Sequence, residues 1–304
     1  MSTLGTLSSV KDQSFNEGVR FALLAYVSWG LFPFFWKMMK DIPAIEILFH
    51  RIFWAFIFYT ILRVYKEKKV LGLSGLKTKE IFYLLLASIF LTTNWFLYIY
   101  AVNSGQVVEA SLAYFINPLV NILVGVLFLK ESLKKHHKVA IAIVSVGVVI
   151  LTLEAHRLPI IAIALALLFS FYGYIRKRLP IESLAGGQLE TFFVVPVAIF
   201  YFFSNNNSLL AHSSYQWGLI VASGVVTGLP LLWFTEAVKR LPYYLMGFFQ
   251  FLAPTLTFIS ARVFFKEEMS PLKFMGFVFI WAGILYLMYS TFRKNKVKKD
   301  VAIL

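Results

Sequence analysis

The sequence predicts an all-α integral membrane protein, with ten transmembrane helices arranged as two inverted repeats of five. Three observations carry that prediction. The chain is 59% hydrophobic and only 14% charged, where a soluble domain carries roughly 25% charged residues. Its apolar runs are long enough to cross a hydrocarbon core about 30 Å thick, which takes about 20 helical residues. One interrupted stretch, FINPLVNILVGVLFLKESL at Phe115–Leu133, recurs in layout as FLAPTLTFISARVFFKEEM at Phe251–Met269.

A constant offset of 136 residues superposes Phe115 on Phe251, Pro118 on Pro254, Phe128 on Phe264 and Lys130–Glu131 on Lys266–Glu267. The same offset places Gly147 on Gly283. Self-similarity of that length in an apolar chain marks a duplicated membrane domain.

Composition narrows the function classes before any motif is read. Mean hydropathy is +0.75, so too few polar side chains remain to cover a globule, and lipid must be the solvent. The net charge of +14 invites a nucleic-acid partner. The Lys and Arg residues, however, sit in short clusters between apolar runs and form no basic face, which excludes nucleic acid. With 0 cysteines, disulfides and thiolate metal sites are excluded, and no metal or cofactor is called for.

Taken in order, residues 1–17 form a polar N-terminal tail with Lys11, Asp12 and Glu17. The apolar run after them is too long for a signal-peptide core and lacks a small-residue cleavage site, so it stays as the first span. The first repeat, 18–155, holds spans at 18–39, 44–65, 79–102, 107–129 and 138–155. The second, 159–292, holds spans at 159–176, 183–203, 216–238, 243–265 and 273–292, and a basic tail at 293–304 follows. The runs lack the alternating pattern of about ten residues that marks a membrane barrel. Short connections predict that successive helices are antiparallel neighbours.

Orientation follows from the cations. Most of the 29 Lys and Arg residues fall on one side, including Lys66–Lys69, Lys77, Lys79, Lys130–Lys138, Arg176–Arg178, Lys239, Arg240 and the tail. The other side has Lys37, Lys40, Arg157, Lys266 and Lys273, while Arg51 and Arg262 lie inside spans. By the positive-inside rule both termini are cytoplasmic. Five spans per repeat is an odd number, so the second copy enters the membrane upside down. Lys130–Glu131 then ends a helix on the cytoplasmic side and Lys266–Glu267 ends its copy outside. Inverted repeats suit alternating access, in which two similar halves exchange conformations around a central site.

Several stretches carry a family resemblance: SWGLFPFFWK (Ser28–Lys37), EILFHRIFW (Glu46–Trp54), Asn94–Trp95, EASLAYFINPLVN (Glu109–Asn121), PLLWFTEA (Pro230–Ala237) and FFQFLAPTLTF (Phe248–Phe258). Together they resemble the EamA family of the drug/metabolite transporter superfamily, in particular its RarD branch, from about Gly18 to Phe292. The resemblance implies a ten-helix permease of the bacterial inner membrane built from two EamA repeats.

Candidate site residues fall into two groups. The first is charged groups at membrane depth, which need a reason to be there. His50 and Arg51 lie in the second span about 10 Å from its outer end, at 1.5 Å per residue, and Glu46 sits one turn before His50 on the same face. Arg51 can contact an anion or carboxylate, with His50 as a protonatable partner for proton coupling; a structural ion pair is the alternative. Glu190, at the matching place in the second repeat, would bind protons or a cation, or serve as the counter-ion of Arg51, which is the preferred reading.

The second group is a polar stripe. Ser111, Tyr114, Pro118 and Asn121 share one helix face, with Asn117 beside them. Pro118 frees the carbonyl of Tyr114, and Pro254 frees that of Gln250. Tyr114, Asn117, Asn121 and Gln250 are therefore expected to line the substrate pathway, along with Asn94 and Trp95. Trp29 and Trp95 are candidates for stacking on a ring or cation. Plainer roles are expected elsewhere: Glu236–Arg240 as a surface ion pair, Arg262 snorkelling outward, and His136 and His137 solvated in a basic loop.

The reading that follows is a secondary transporter of a small organic metabolite or drug-like solute, in contact with membrane lipid. A lipid or lipid-precursor flippase and a non-transporting membrane subunit are the alternatives. An enzyme is disfavoured because the spans offer no Asp, one His and no GxSxG-type turn. ATP-driven transport is disfavoured because no GxxxxGK[ST] loop is present.

Overall fold

The structure, a computed structural model, describes residues 2–72, 75–154, 159–204, 212–264, 266 and 270–301, with side chains throughout except at 2–11, 107–108 and 291–301. Among the described residues all regular structure is helical. The helices are α1 (Ser2–Met38), α2 (Ala44–Glu67), α3 (Thr78–Asn103), α4 (Val107–Leu127) and α5 (Lys135–Glu154) in the first half. The second half has α6 (Ile160–Arg178), α7 (Ser183–Ser204), α8 (Ser214–Arg240), α9 (Tyr243–Gln250), α10 (Leu252–Val263) and α11 (Pro271–Val301). They supply ten apolar stretches long enough to span a membrane, α9 and α10 together making one. Helices are what lipid demands, since no water is present there to satisfy backbone N–H and C=O groups.

The duplication read from the sequence is present in the backbone. The offset of 136 residues carries α4, 107–127, onto the α9–α10 span, 243–263, and α5, 135–154, onto the span 271–290. It also carries Lys130, at φ 55°, onto Lys266, at φ 54°. Both lysines take the left-handed conformation that ends a helix. Glu267 lies outside the described residues.

Helix α1 begins at Ser2 and runs unbroken through the polar N-terminal residues into the first span. Two expectations are revised. Pro118 and Pro254 do not interrupt their helices alike: α4 continues through Pro118, whereas the ninth span breaks at Phe251, three residues before Pro254. Successive helices are also not the main packing partners. The closest packing joins the halves, as α5 with α11, α4 with α6 and α9, α1 with α8 and α10, α2 with α7 and α8, and α3 with α6 and α7.

These pairings exchange into one another when the halves are swapped, as a pseudo-two-fold relation requires. The α5–α11 contact shows it atom by atom. A Cβ on Gly147 would lie 2.5 Å from the carbonyl oxygen of Gly276 and 2.9 Å from the Ile280 side chain. A Cβ on Gly283 would lie 2.9 Å from the carbonyl oxygen of Ala140 and 2.6 Å from the Val144 side chain. The offset that relates Gly147 to Gly283 also relates Ala140 to Gly276 and Val144 to Ile280. Glycine lets the two backbones close up, which is how membrane helices gain packing when lipid is as apolar as their side chains.

The largest core follows the same rule, drawing Ala22 and Tyr26 from α1, Leu84 and Ala87 from α3, Tyr172 from α6, Leu189 from α7 and Phe234 from α8. Helix α4 is clamped at both ends to the other half. Glu109 Oε2 accepts from the backbone N–H of Ile161 at 2.9 Å, in the first turn of α6. At the opposite end, the Glu131 carboxylate accepts from the N–H groups of Tyr243 and Tyr244 at 2.7 and 2.9 Å, in the first turn of α9. Each carboxylate meets unpaired N–H groups and the positive end of a helix dipole.

Candidate functional site

Helices α1 to α4 bring an aromatic cluster around Arg51. Its guanidinium carbon lies 4.1 Å from the ring centre of Trp95 on α3 and 5.8 Å from that of Trp36 on α1. Tyr98 on α3 and Tyr114 on α4 meet edge to face at 6.0 Å, and both phenols lie near Arg51. Among the described residues no carboxylate is within ion-pair distance of Arg51. Its Nε is sealed from solvent without a hydrogen-bond partner, yet the residue as a whole is only half-buried. Tyr114 and Tyr98 are 45% and 37% exposed, so the cluster is open on one side.

The expected Arg51–Glu190 pair is not formed. Glu190 Oε1 lies 3.2 Å from Arg176 Nε, both side chains buried. The Tyr172 hydroxyl donates to Glu190 Oε2 at 3.2 Å, and Ser88 Oγ donates to the Glu190 carbonyl oxygen at 2.7 Å. Arg176 also donates to the Ser183 carbonyl oxygen at 3.1 Å and lies flat over Gly186, where a Cβ would collide with it. The reason is depth. Arg51 and Glu190 each sit seven residues into their helices, about 10 Å, but from opposite ends of the bundle. Trp95 stands between the two charged sites. Besides flanking Arg51 it lines a small cleft with Ser88, Thr92, Glu190 and Thr191.

The polar stripe on α4 divides. Tyr114 joins the Arg51 cluster, whereas Asn121 is fully buried and Gln250 nearly so. Asn121 Nδ2 donates to Gln250 Oε1. The Tyr243 hydroxyl lies 2.7 Å from the Ser170 carbonyl oxygen and 3.0 Å from Asn121 Oδ1. Ser170 Oγ donates to Asn117 Oδ1 at 3.0 Å. Asn117, Asn121 and Gln250 thus bond to protein across the α4–α6–α9 junction in this conformation. Asn94 donates to the Leu165 carbonyl oxygen at 2.8 Å, tying α3 to α6.

His50 lies 3.7 Å from Glu46, as their helical spacing suggests, and Glu46 also meets His212 at 2.6 Å. The His50 ring stacks on Phe202 with centroids 4.4 Å apart. Trp29 packs against Tyr26, Phe169 and Phe234 in the core and faces no cation among the described residues. His136 and His137 are buried in the first turn of α5 and not solvated, the His137 ring lying 4.8 Å from that of Tyr244. Glu236 and Arg240 do pair, and Glu17 joins them at 3.5 Å.

Arg176, Trp36, Tyr98 and His212 were not legible as site residues. Arg176 sits in the RKR cluster, where basic residues signal topology. Lys177 and Lys239 nearby are also engaged, Lys177 donating to the Val238 and Leu241 carbonyl oxygens and Lys239 to that of Ile181. Cations at these helix ends thus cap free carbonyls as well as marking a side.

Comparison with known proteins agrees with the architecture. The model of the EamA-like transporter family matches twice, over residues 16–153 and 158–289. The uncharacterized transporter YojE of Bacillus subtilis is 39% identical over 291 residues, 94% of this chain and 98% of that protein. Protein RarD of Salmonella typhi is 40% identical over 291 residues, 92% of this chain and 98% of that protein. Protein RarD of Escherichia coli is 37% identical over 290 residues, covering 93% and 98%. A solved crystal structure with 20% sequence identity matches at a TM-score of 0.67, covering 90% of this chain and 97% of that one, and speaks for the fold. Two matched domains and full-length relatives leave one assignment: the chain belongs to the EamA-like transporter family, with RarD proteins among its relatives.

Proposed function

We propose that this chain is a secondary active transporter that moves a small organic solute across the bacterial cytoplasmic membrane by alternating access, with both termini cytoplasmic. The observation that carries the reading is the exchangeable packing between halves, seen most clearly where Gly147 meets Gly276 and Ile280 while Gly283 meets Ala140 and Val144. Two copies of one unit, inverted and interlocked, can adopt each other's conformation. The exchange closes one side of a central site while opening the other. The absence of cysteine makes a clean test available. Lys130 and Lys266 are exposed and share a left-handed backbone conformation, so single cysteines there differ mainly in the face they occupy. An impermeant thiol reagent applied to intact cells is expected to label Lys266→Cys and spare Lys130→Cys; equal labelling would remove the inverted topology. Solute-driven counterflow in proteoliposomes, trapped by a cysteine cross-link between α5 and α11, tests the exchange itself.

A further inference from the structure

We infer that Arg51, with Trp36, Trp95, Tyr98 and Tyr114, forms a binding site for a small organic monocarboxylate that has a flat apolar body. The inference deepens the transport reading, because the ligand would be the transported solute.

A guanidinium at membrane depth is costly unless it meets an anion, a partner or water. Arg51 has no carboxylate within reach among the described residues, while Arg176, also buried, is matched by Glu190. Snorkelling to the interface does not account for it. The guanidinium is held 4.1 Å from the Trp95 ring centre and its Nε is sealed, so the group is anchored inward. Of its nitrogens only Nε is sealed without a partner, which leaves the two at the tip of the planar fork for a ligand. That fork matches the two oxygens of a carboxylate, which it can bind through parallel N–H donors.

The walls decide the rest of the ligand. Two indole rings and two phenols offer faces and edges for a planar apolar group, and aromatic pairs prefer such offset or edge-on arrangements. The two phenols, both partly exposed, can donate to a second oxygen. A single cation among aromatic rings balances one negative charge and leaves a second uncompensated, which favours a monocarboxylate over a phosphate dianion.

The test uses purified full-length protein and a set of acids, each against its own amide: acetate, butyrate, benzoate, phenylacetate and indole-3-acetate. Ligand binding to the native state raises its apparent melting temperature. The aromatic acids are expected to raise it, and their amides and the short-chain acids are not. Arg51→Gln is expected to weaken acid binding roughly tenfold to a hundredfold, the range for a charged hydrogen-bonded contact, with Arg51→Lys in between. No shift with any acid, equal shifts with acid and amide, or an acid response unchanged in Arg51→Gln would each overturn the site. If Arg51→Gln does not fold, Trp95→Leu with the same acids, together with the acid–amide contrast in the wild type, decides the matter. Proteoliposome flux separates this idea from the transport reading: binding without flux removes transport and leaves the site, and flux of neutral solutes without carboxylate binding does the reverse.

Discussion

Arg176 Nε lies 3.2 Å from Glu190 Oε1, in a pair that joins the end of α6 to the start of α7 with both side chains buried. Removing one member strands the other charge in an apolar setting. Arg176→Gln or Glu190→Gln alone is expected to cost about 3–5 kcal/mol of stability. The double variant should lose less than the sum. Arg51→Ala and Glu190→Ala, by contrast, should couple far more weakly, since the two do not touch and only Trp95 lies beside both. Thermal or denaturant unfolding in detergent measures both cycles, and strong coupling of Arg51 with Glu190 would contradict this geometry.

The glycine crossing of α5 and α11 gives a steric prediction. Gly147→Ala and Gly283→Ala would each drive a methyl group into a neighbouring backbone carbonyl and side chain, at a cost of about 1–3 kcal/mol. Gly218→Ala on α8 meets nothing within 4 Å. There the gain in helix propensity, up to about 1 kcal/mol, should appear as unchanged or slightly raised stability. Melting temperatures of the three variants check the contrast.

The Asn121–Gln250 bond predicts coupling across α4 and α9. Asn121→Leu removes a donor to Gln250 and an acceptor near the Tyr243 hydroxyl, and is expected to cost about 1–2 kcal/mol. Asn121→Leu with Gln250→Leu should recover part of that loss, because no buried amide is then left unpaired. A double-mutant cycle on unfolding midpoints would detect it. Full additivity would count against a shared bond.

Glu131 caps α9 through two backbone N–H groups. Glu131→Gln keeps the shape and removes the charge, with an expected loss of up to about 2 kcal/mol. Hydrogen exchange at Tyr243 and Tyr244 should rise in the variant, while amides in the α5–α11 crossing stay protected.

What the sequence determined by itself is what can be written along one dimension. Twenty-residue apolar runs fix the number of spans because the membrane has a set thickness. The offset linking Lys130 to Lys266 announced the duplication, and the left-handed backbone at both positions repeats it in three dimensions. Spacing on one helix also sufficed to place Glu46 beside His50. Partner choice between helices was decided only by the tertiary structure. A span's apolar surface is nearly the same on all sides, so hydropathy does not say which neighbour it faces. The halves interlock across long sequence separations, which gives Asn121 to Gln250, while within each half Glu190 turns to Arg176 on the preceding helix and Arg51 lies among aromatic rings with Tyr114 and Trp95.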